Sequence, residues 1–366
     1  MIYRKYRPRI FDDVYGQNLI IKVLKSFLKN LNSLPHGYLF AGPRGTGKTS
    51  TARIFSKALN CLNLEQNSYE PCEQCTNCEA INQNKFLDII ELDAASNRGI
   101  DEIRNLRDNI GFKPIQGKYK VFIIDEAHML TKEAFNALLK VLEEPPKHVI
   151  FILATTEPEK IPATVISRLQ RFDFRRISIN EMIKKLKKIT EKEGISATDG
   201  ALYLIAEESD GALRDAETLL ERIILSLNPH KTINEEYVEQ FLGKVNSLRI
   251  LAFLEVLLEK NFEEAIKMIH DIYANGYDLL IFTRSLIKIL RDMLIIKIYP
   301  YWQNQLAKEY SEELINKLTT LVQKIDLEKI KKFIKVFSEA EFNFKKDPPL
   351  ITLPLEMAVA ELILQN

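Results

Sequence analysis

Along the first 175 residues, short unbroken apolar runs alternate with stretches of helical period. Four runs stand out: GYLFAG at 37–42, FLDIIELD at 86–93, KVFIIDE at 120–126 and HVIFILATT at 148–156. A run without polar alternation suits a strand covered on both faces, as in a parallel sheet. Between the runs lie helical patterns such as KTSTARIFSKALN at 48–60 and TKEAFNALLKVLEEP at 131–145. This order predicts an α/β domain with a covered parallel sheet. Beyond about residue 176 the strand pattern stops. ISINEMIKKLKKITEKEG predicts a helix capped by Asn180 and ending near Gly194, and two more helices fit 198–209 and 212–226. From about 243 onward, apolar residues recur at spacings of three and four, as in LAFLEVLLEKNFEEAIKMIHDIY. That predicts an all-helical third part. The expected domains are 1–178, 179–242 and 243–366.

Composition narrows the class without naming it. With 46% apolar and 28% charged residues, the 366-residue chain reads as globular, not disordered. Lys and Arg number 51 against 50 Asp and Glu, a formal net charge of +1. This excludes a strongly basic nucleic-acid wrapper but not a local basic surface. The opening MIYRKYRPRIFDD has no apolar signal core. No run reaches the length of a membrane span, so a soluble cytoplasmic protein without membrane partners is expected.

GPRGTGKTS at 42–50 sits between the first strand and the following helix. This is the G-x-x-x-x-G-K-[ST] phosphate loop in its proper context. Gly42, Gly45 and Gly47 let the backbone aim its N–H groups at phosphate oxygens, and the helix N-terminus adds its dipole. Pro43, Arg44, Thr46 and Ser50 belong to the same nucleotide-binding stretch. Lys48 is expected to reach the β- and γ-phosphates and Thr49 to hold Mg²⁺. The strand VFIID delivers Asp125 and Glu126 to its C-terminal end, where open α/β sheets bind ligands. Asp125 is expected to hold Mg²⁺ and Glu126 to orient the attacking water. Thr155 and Thr156 close the next strand and are placed to sense the γ-phosphate. Arg214 starts a helix in the second part and is placed to reach phosphates.

All four cysteines fall between 61 and 78, spaced C-x10-C-x2-C-x2-C. A cluster this tight points to metal, not to a disulfide framework. Cys61, Cys72, Cys75 and Cys78 supply four thiolates and leave no open position, which suits structural Zn²⁺. An iron–sulfur cluster is the competing metal and free thiols the alternative without one.

Taken together, YRPRIFDDVYGQ (6–17), GPRGTGKTS, the cysteine insertion after the first long helix, ELDAASNRGIDEIR (91–104), DEAHMLTKEAFNALLKVLEEPP (125–146), LATTEPEKIPATVISR (153–168) and SDGALRDA (209–216) resemble the γ/τ subunits of the bacterial DNA polymerase III clamp loader. These belong to the AAA+ ATPases. The resemblance spans 1 to about 242 and continues more weakly into a helical oligomerisation collar. It implies an AAA+ P-loop domain with a zinc-binding insertion, a small helical lid and an all-helical collar. It further implies an ATP-hydrolysing motor that joins further copies of itself with δ and δ′ subunits, opens the sliding clamp and loads it on primer–template DNA. Residue by residue, Lys48, Thr49, Asp125 and Glu126 keep the roles given above. Thr156 resembles sensor 1, and Arg214 sensor 2. Tyr6, Arg7, Pro8, Val14 and Gln17 match the segment flanking the adenine. Arg168 matches the arginine finger that acts on a neighbour's ATP. The family usually carries SRC where this chain has SRL, so Leu169 is expected to pack. The long τ tail is expected to be missing after Asn366.

DNA contact is expected through phosphates, since a loader must accept any sequence. The candidates are Arg98, Lys132 and the helix N-termini near 97–102 and 131–133. Two other readings remain. One is a related AAA+ DNA motor such as a branch-migration helicase, which shares the phosphate loop. The other is a non-hydrolysing clamp-loader scaffold, against which the intact Lys48 and Thr49 argue.

Overall fold

A computed structural model describes residues 1–65, 68–96, 110–226, 232–306, 310 and 312–364. Five strands form one sheet: β1 (Gly37–Ala41), β2 (Ile89–Asp93), β3 (Lys120–Asp125), β4 (Val149–Thr155) and β5 (Gln170–Asp173). The order is β2-β3-β4-β1-β5 and every pairing is parallel. The four predicted strands are present, shortened by one to three residues at their ends. The fifth escaped the hydrophobic reading because it is short and polar, with Gln170, Arg171 and Asp173 exposed and only Phe172 buried.

Strand periodicity divides the buried side chains between two faces. Tyr38, Phe40, Val121, Ile123, Ile150 and Ile152 point to one side and pack with Ile21, Leu24 and Leu28 of the helix Asn18–Lys29 and Phe55 of the helix Lys48–Leu59. Leu39, Phe122, Ile124, Phe151 and Leu153 point to the other side and meet Phe135, Leu138 and Leu142 of the helix Lys132–Glu143. Both faces are covered, which is why these strands contain no polar alternation. The register sets Ala41 beside Thr155 and Asp93 beside Asp125. The strand ends that carry chemistry therefore share one edge of the sheet.

The chain divides into two compact units: Met1–Lys192 with Ala206–Ile224, and Glu193–Ile205 with Leu225–Asn366. The dividing line runs through the 179–242 segment. Its helices are Ile179–Glu193, Asp199–Glu208, Leu213–Ser226 and Glu235–Phe241. Asn180 does not cap the first of them. The helix begins one residue earlier, and Ser178 Oγ accepts the Glu181 N–H at 3.4 Å. In the second unit a single core, with Phe253, Phe282, Phe333 and Phe337 among its buried side chains, joins the helices Ser247–Leu258, Phe262–Ala274, Leu279–Ile298, Glu312–Lys324, Leu327–Phe344 and Leu353–Leu364. Asn246, Asn261, Asp278 and Asp326 cap four of these through their side chains. Among the described residues, no helix is long and apolar enough to cross a membrane.

Candidate functional site

The phosphate loop leaves β1 and enters the helix Lys48–Leu59 through Gly47, whose φ of 99° is left-handed. A Cβ there meets nothing closer than 3.8 Å. Conformation, not space, therefore asks for glycine at this point. The loop is tied on both sides. Gly42 N–H donates to Thr155 O at 3.1 Å, and Leu213 N–H donates to Gly45 O at 3.1 Å. Thr46 Oγ1 donates to Pro43 O at 2.8 Å. Lys48 is buried, and its ammonium donates to Gly42 O at 2.7 Å and Pro43 O at 2.8 Å. Burial lowers its pKa, while the Glu126 and Asp125 carboxylates act in the opposite direction.

Beside the lysine, Thr49 Oγ1 donates to Asp125 Oδ2 at 2.8 Å, and Asp125 Oδ1 accepts the Glu126 N–H at 3.0 Å. Glu126 is itself left-handed, with φ 47° and ψ 45°. A residue with a Cβ pays roughly 1–2 kcal/mol for that conformation. It turns the Glu126 carboxylate off the strand direction, where Thr156 Oγ1 donates to Oε2 at 3.3 Å. Thr155 is fully buried and plays another part: its hydroxyl accepts the Glu157 N–H at 3.0 Å and lies 3.0 Å from His128 Nδ1. His128, absent from the sequence reading, has its ring between Glu126 Oε2 at 3.5 Å and Glu157 Oε1 at 3.2 Å.

These groups open into a cavity of about 830 Å³. Of the residues expected to hold nucleotide, Arg7, Pro8, Val14, Arg44, Gly45, Thr46, Gly47, Lys48, Thr49, Ser50 and Arg214 line it, as do Asp125 and Glu126. Arg7 Nε donates to Ser50 Oγ at 3.2 Å, and burial depresses its pKa. The Arg214 guanidinium lies 4.9 Å from the Tyr3 ring centroid. Tyr6, Gln17, Gly42, Pro43 and Thr156 are not part of the lining. Gln17 Nε2 donates to Arg175 O at 2.7 Å and Thr46 O at 3.4 Å, and Tyr6 O accepts from Lys185 Nζ at 2.9 Å. Tyr3, Tyr15, Arg53, Glu91 and Glu217 also line the cavity and were not foreseen. Tyr15 and Glu91 fall within the 6–17 and 91–104 motifs but were given no role there, and only the fold gathers all five.

Arg168 lies elsewhere. It is outside the cavity lining, and it donates to Thr164 O at 2.6 Å and to Glu143 Oε1 at 2.7 Å. Leu169 packs in the core beside it, as expected. Lys132 is exposed at the start of the helix Lys132–Glu143, which Thr131 caps. Arg98 and the 97–102 segment lie outside the described residues.

The four cysteines converge. One sulfur from each lies within 4.8 Å of the others, and Cys72 and Cys78 sulfurs are 4.0 Å apart. A tetrahedron with Zn–S bonds of 2.3 Å has S···S edges of about 3.8 Å, so the set is compatible with zinc. The local backbone is shaped for thiolates. The N–H groups of Cys72, Cys75 and Cys78 donate to the sulfurs of Cys61, Cys72 and Cys75 at 3.4, 3.3 and 3.4 Å. Burial pushes the Cys61 and Cys78 thiols up. Asn77 Nδ2 donates to Asn60 O at 2.8 Å, and Lys57 pairs with Glu73, so the cluster is tied to the helix that leaves the phosphate loop.

A parallel sheet with a phosphate loop after its first strand, a threonine at the end of the strand beside it and an acidic pair at the end of the strand beyond is the architecture of an AAA+ P-loop domain. A variant of Thermotoga maritima RuvB has the same fold, at a TM-score of 0.50 over 69% of this chain and 80% of that one, with 20% identity. Likeness at that identity speaks to fold alone. Residues 16–178 match the family described as DNA polymerase III, delta subunit, and residues 233–364 match DNA polymerase III subunits gamma and tau domain III. The Bacillus subtilis DNA polymerase III subunit tau is 43% identical over 87% of this chain and 56% of its own. The Buchnera aphidicola (subsp. Baizongia pistaciae) subunit gamma is 41% identical over 82% of this chain and 80% of its own. The Escherichia coli subunit tau is 37% identical over 82% of this chain and 46% of its own. The chain thus spans about half the length of these tau relatives. It belongs to the DNA polymerase III gamma/tau subunit family.

Proposed function

We propose that this chain is an ATP-hydrolysing motor subunit of the bacterial clamp loader, which opens a sliding clamp and loads it on primer–template DNA. The observation that carries the reading is the cluster of Lys48, Thr49, Asp125, Glu126 and Thr156 on one sheet edge, in a chain of this family. Lys48 exchanges its loop carbonyls for the β- and γ-phosphate oxygens. Thr49 and Asp125 present adjacent hard oxygens, the donor set that suits Mg²⁺. Mg²⁺ held by Thr49 and Asp125 would supply positive charge against the phosphates. Glu126 accepts a proton of the attacking water and aligns it, with Thr156 fixing the carboxylate. Arg214 adds charge on the lid side of the phosphates. Arg168, turned away from its own loop, serves the site of an adjacent copy.

Zn²⁺ on Cys61, Cys72, Cys75 and Cys78 is structural in this reading, because all four positions are filled by sulfur. Partners are δ and δ′ subunits, further copies and the clamp. DNA is gripped by phosphates, with Lys132 and Arg98 as contacts, in the cytoplasm. The test is ATP turnover with δ, δ′, clamp and primer–template DNA present. Turnover that rises only when clamp and DNA are both added, and is lost in Lys48→Ala, is expected. Turnover indifferent to the clamp overturns the loader assignment and leaves an ATPase of another task.

A further inference from the structure

Glu217 is used by none of these roles, yet it is the most unusual side chain in the cavity wall. It is 5% exposed, and its Oε1 is sealed from solvent with no hydrogen-bond partner. The cation facing it is Lys185, also 5% exposed, whose ammonium is engaged with Tyr6 O at 2.9 Å. Burial raises the Glu217 carboxyl to about 7, against the pull of Lys185. Leaving a buried carboxyl oxygen unpaired is costly. The cost has a functional explanation if a molecule entering the cavity supplies the missing donor.

The surroundings say what kind of molecule. Leu213 and Glu217 are one helical turn apart and share a face. With Tyr3, Val14, Tyr15 and Ile177 they line the same cavity as the phosphate loop. Aromatic and aliphatic walls suit a flat ring, and the outer torsion of a glutamate is broad enough to swing its carboxyl to the ring's edge. We infer that Glu217 is a specificity-determining residue that reads the nucleobase, accepting a hydrogen bond from the exocyclic 6-amine of adenine. A carboxyl that keeps its proton near neutral pH also donates to the ring nitrogen next to that amine, so one side chain matches both positions of the edge.

This inference rests on the cavity being a nucleotide site. The test uses the full chain, with equilibrium dissociation constants at pH 7 for ATP and for purine riboside triphosphate, which carries hydrogen in place of the 6-amine. Wild type is expected to favour ATP by about tenfold, the worth of one hydrogen bond to a carboxyl. Glu217→Leu is expected to bring the ratio to about one, weakening ATP more than purine riboside triphosphate, which loses only the ring-nitrogen contact. Glu217→Gln keeps an acceptor oxygen and is expected to retain most of the preference. A wild-type ratio near one overturns the inference without needing any variant to fold. A preference kept intact in a folded Glu217→Leu overturns it too, and leaves the carboxyl as a partner of Lys185. Failure of wild type to bind either triphosphate is a separate result: it removes the nucleotide reading of the cavity, and this inference with it.

Discussion

Replacing Arg168 with alanine should leave the chain folded and able to bind nucleotide, yet remove hydrolysis in an adjacent copy. Among the described residues, the guanidinium hydrogen-bonds Thr164 O, Ser167 Oγ and Glu143 Oε1, and the paired side chains of Arg168 and Glu143 are 34% and 51% exposed. An exposed pair of this kind contributes no more than about 1 kcal/mol. The thermal midpoint should move by at most about 2–4 °C. A transition-state arginine is worth about 10³–10⁵ in rate, or about 4–7 kcal/mol, so the catalytic effect should far exceed the structural one. Complementation separates the two. Glu126→Gln keeps the arginine but stalls its own site; Arg168→Ala keeps an intact site but offers no arginine. Each assembled alone with its partners should be nearly inactive. Mixed before assembly, they form sites in which Arg168 of one chain faces Glu126 of another, and turnover should recover in part. A mixture that assembles normally yet stays as inactive as its parents would refute the reasoning. So would an Arg168→Ala chain that has lost nucleotide affinity by itself. Glu143→Gln, which frees the arginine, should hydrolyse at least as fast as wild type.

Three further outcomes follow from the geometry. Gly42→Ala should lower the denaturant midpoint by an amount equivalent to about 2–4 kcal/mol, because its Cβ would collide with Phe174 O at a φ of 144°; an unchanged midpoint would contradict the packing. Stripping the metal with a strong chelator should speed amide exchange through the cysteine segment and at the end of the helix Lys48–Leu59, where Asn60 O accepts from Asn77, while the main calorimetric transition survives; its loss would place the cluster in the core. Glu239 is held up to about 7 in the fold by burial, against an ordinary 4.5. The fold thus holds this proton more tightly than the unfolded chain, so wild-type stability should fall as pH climbs from about 4.5 through 7 and then level off. Glu239→Gln should remove its own share of that slope, leaving the share of Glu217, which is raised over the same range, and parallel wild-type and variant curves would show that Glu239 does not titrate there.

The parts legible in the sequence are those whose physics is local. β1, β3 and β4 announced themselves as apolar runs because each is covered on both faces, and β2, a half-buried edge strand, because Ile89, Ile90 and Leu92 keep its run apolar. Lys48, Thr49, Asp125 and Glu126 were found because a phosphate loop and a strand-end acid pair are short patterns with a mechanical reason. The fifth strand was not, since Gln170, Arg171 and Asp173 are exposed at the sheet edge and only Phe172 turns inward. Asn180 looked like a cap, yet Ser178 took that place once the chain began to wind one residue sooner. His128 sits three residues from Asp125 and still carried no signal, because its neighbour Glu157 comes from beyond the next strand.

Charge shows the same division between local and assembled information. A net charge of +1 over the chain carries no hint of a polyanionic substrate. Around the cavity, however, Arg4, Arg7, Arg9, Arg44, Lys48, Arg53, Lys57 and Arg214 outnumber Glu91, Asp125, Glu126 and Glu217. These cations come from the N-terminal segment, the phosphate loop, the helix behind it and the start of the helix Leu213–Ser226. No window of sequence holds them all. Part of that charge is already committed within the wall, since Arg53 binds Glu91 through two hydrogen bonds of 2.6 Å and Lys57 pairs with Glu73. The remaining cations line the same cavity as Lys48 and Thr49. A concave site with an uncompensated cationic wall raises the local concentration of anions. Triphosphate capture should therefore weaken with salt through the association rate. The chemistry at Asp125 and Glu126, which is set by short contacts inside the site, should be much less sensitive.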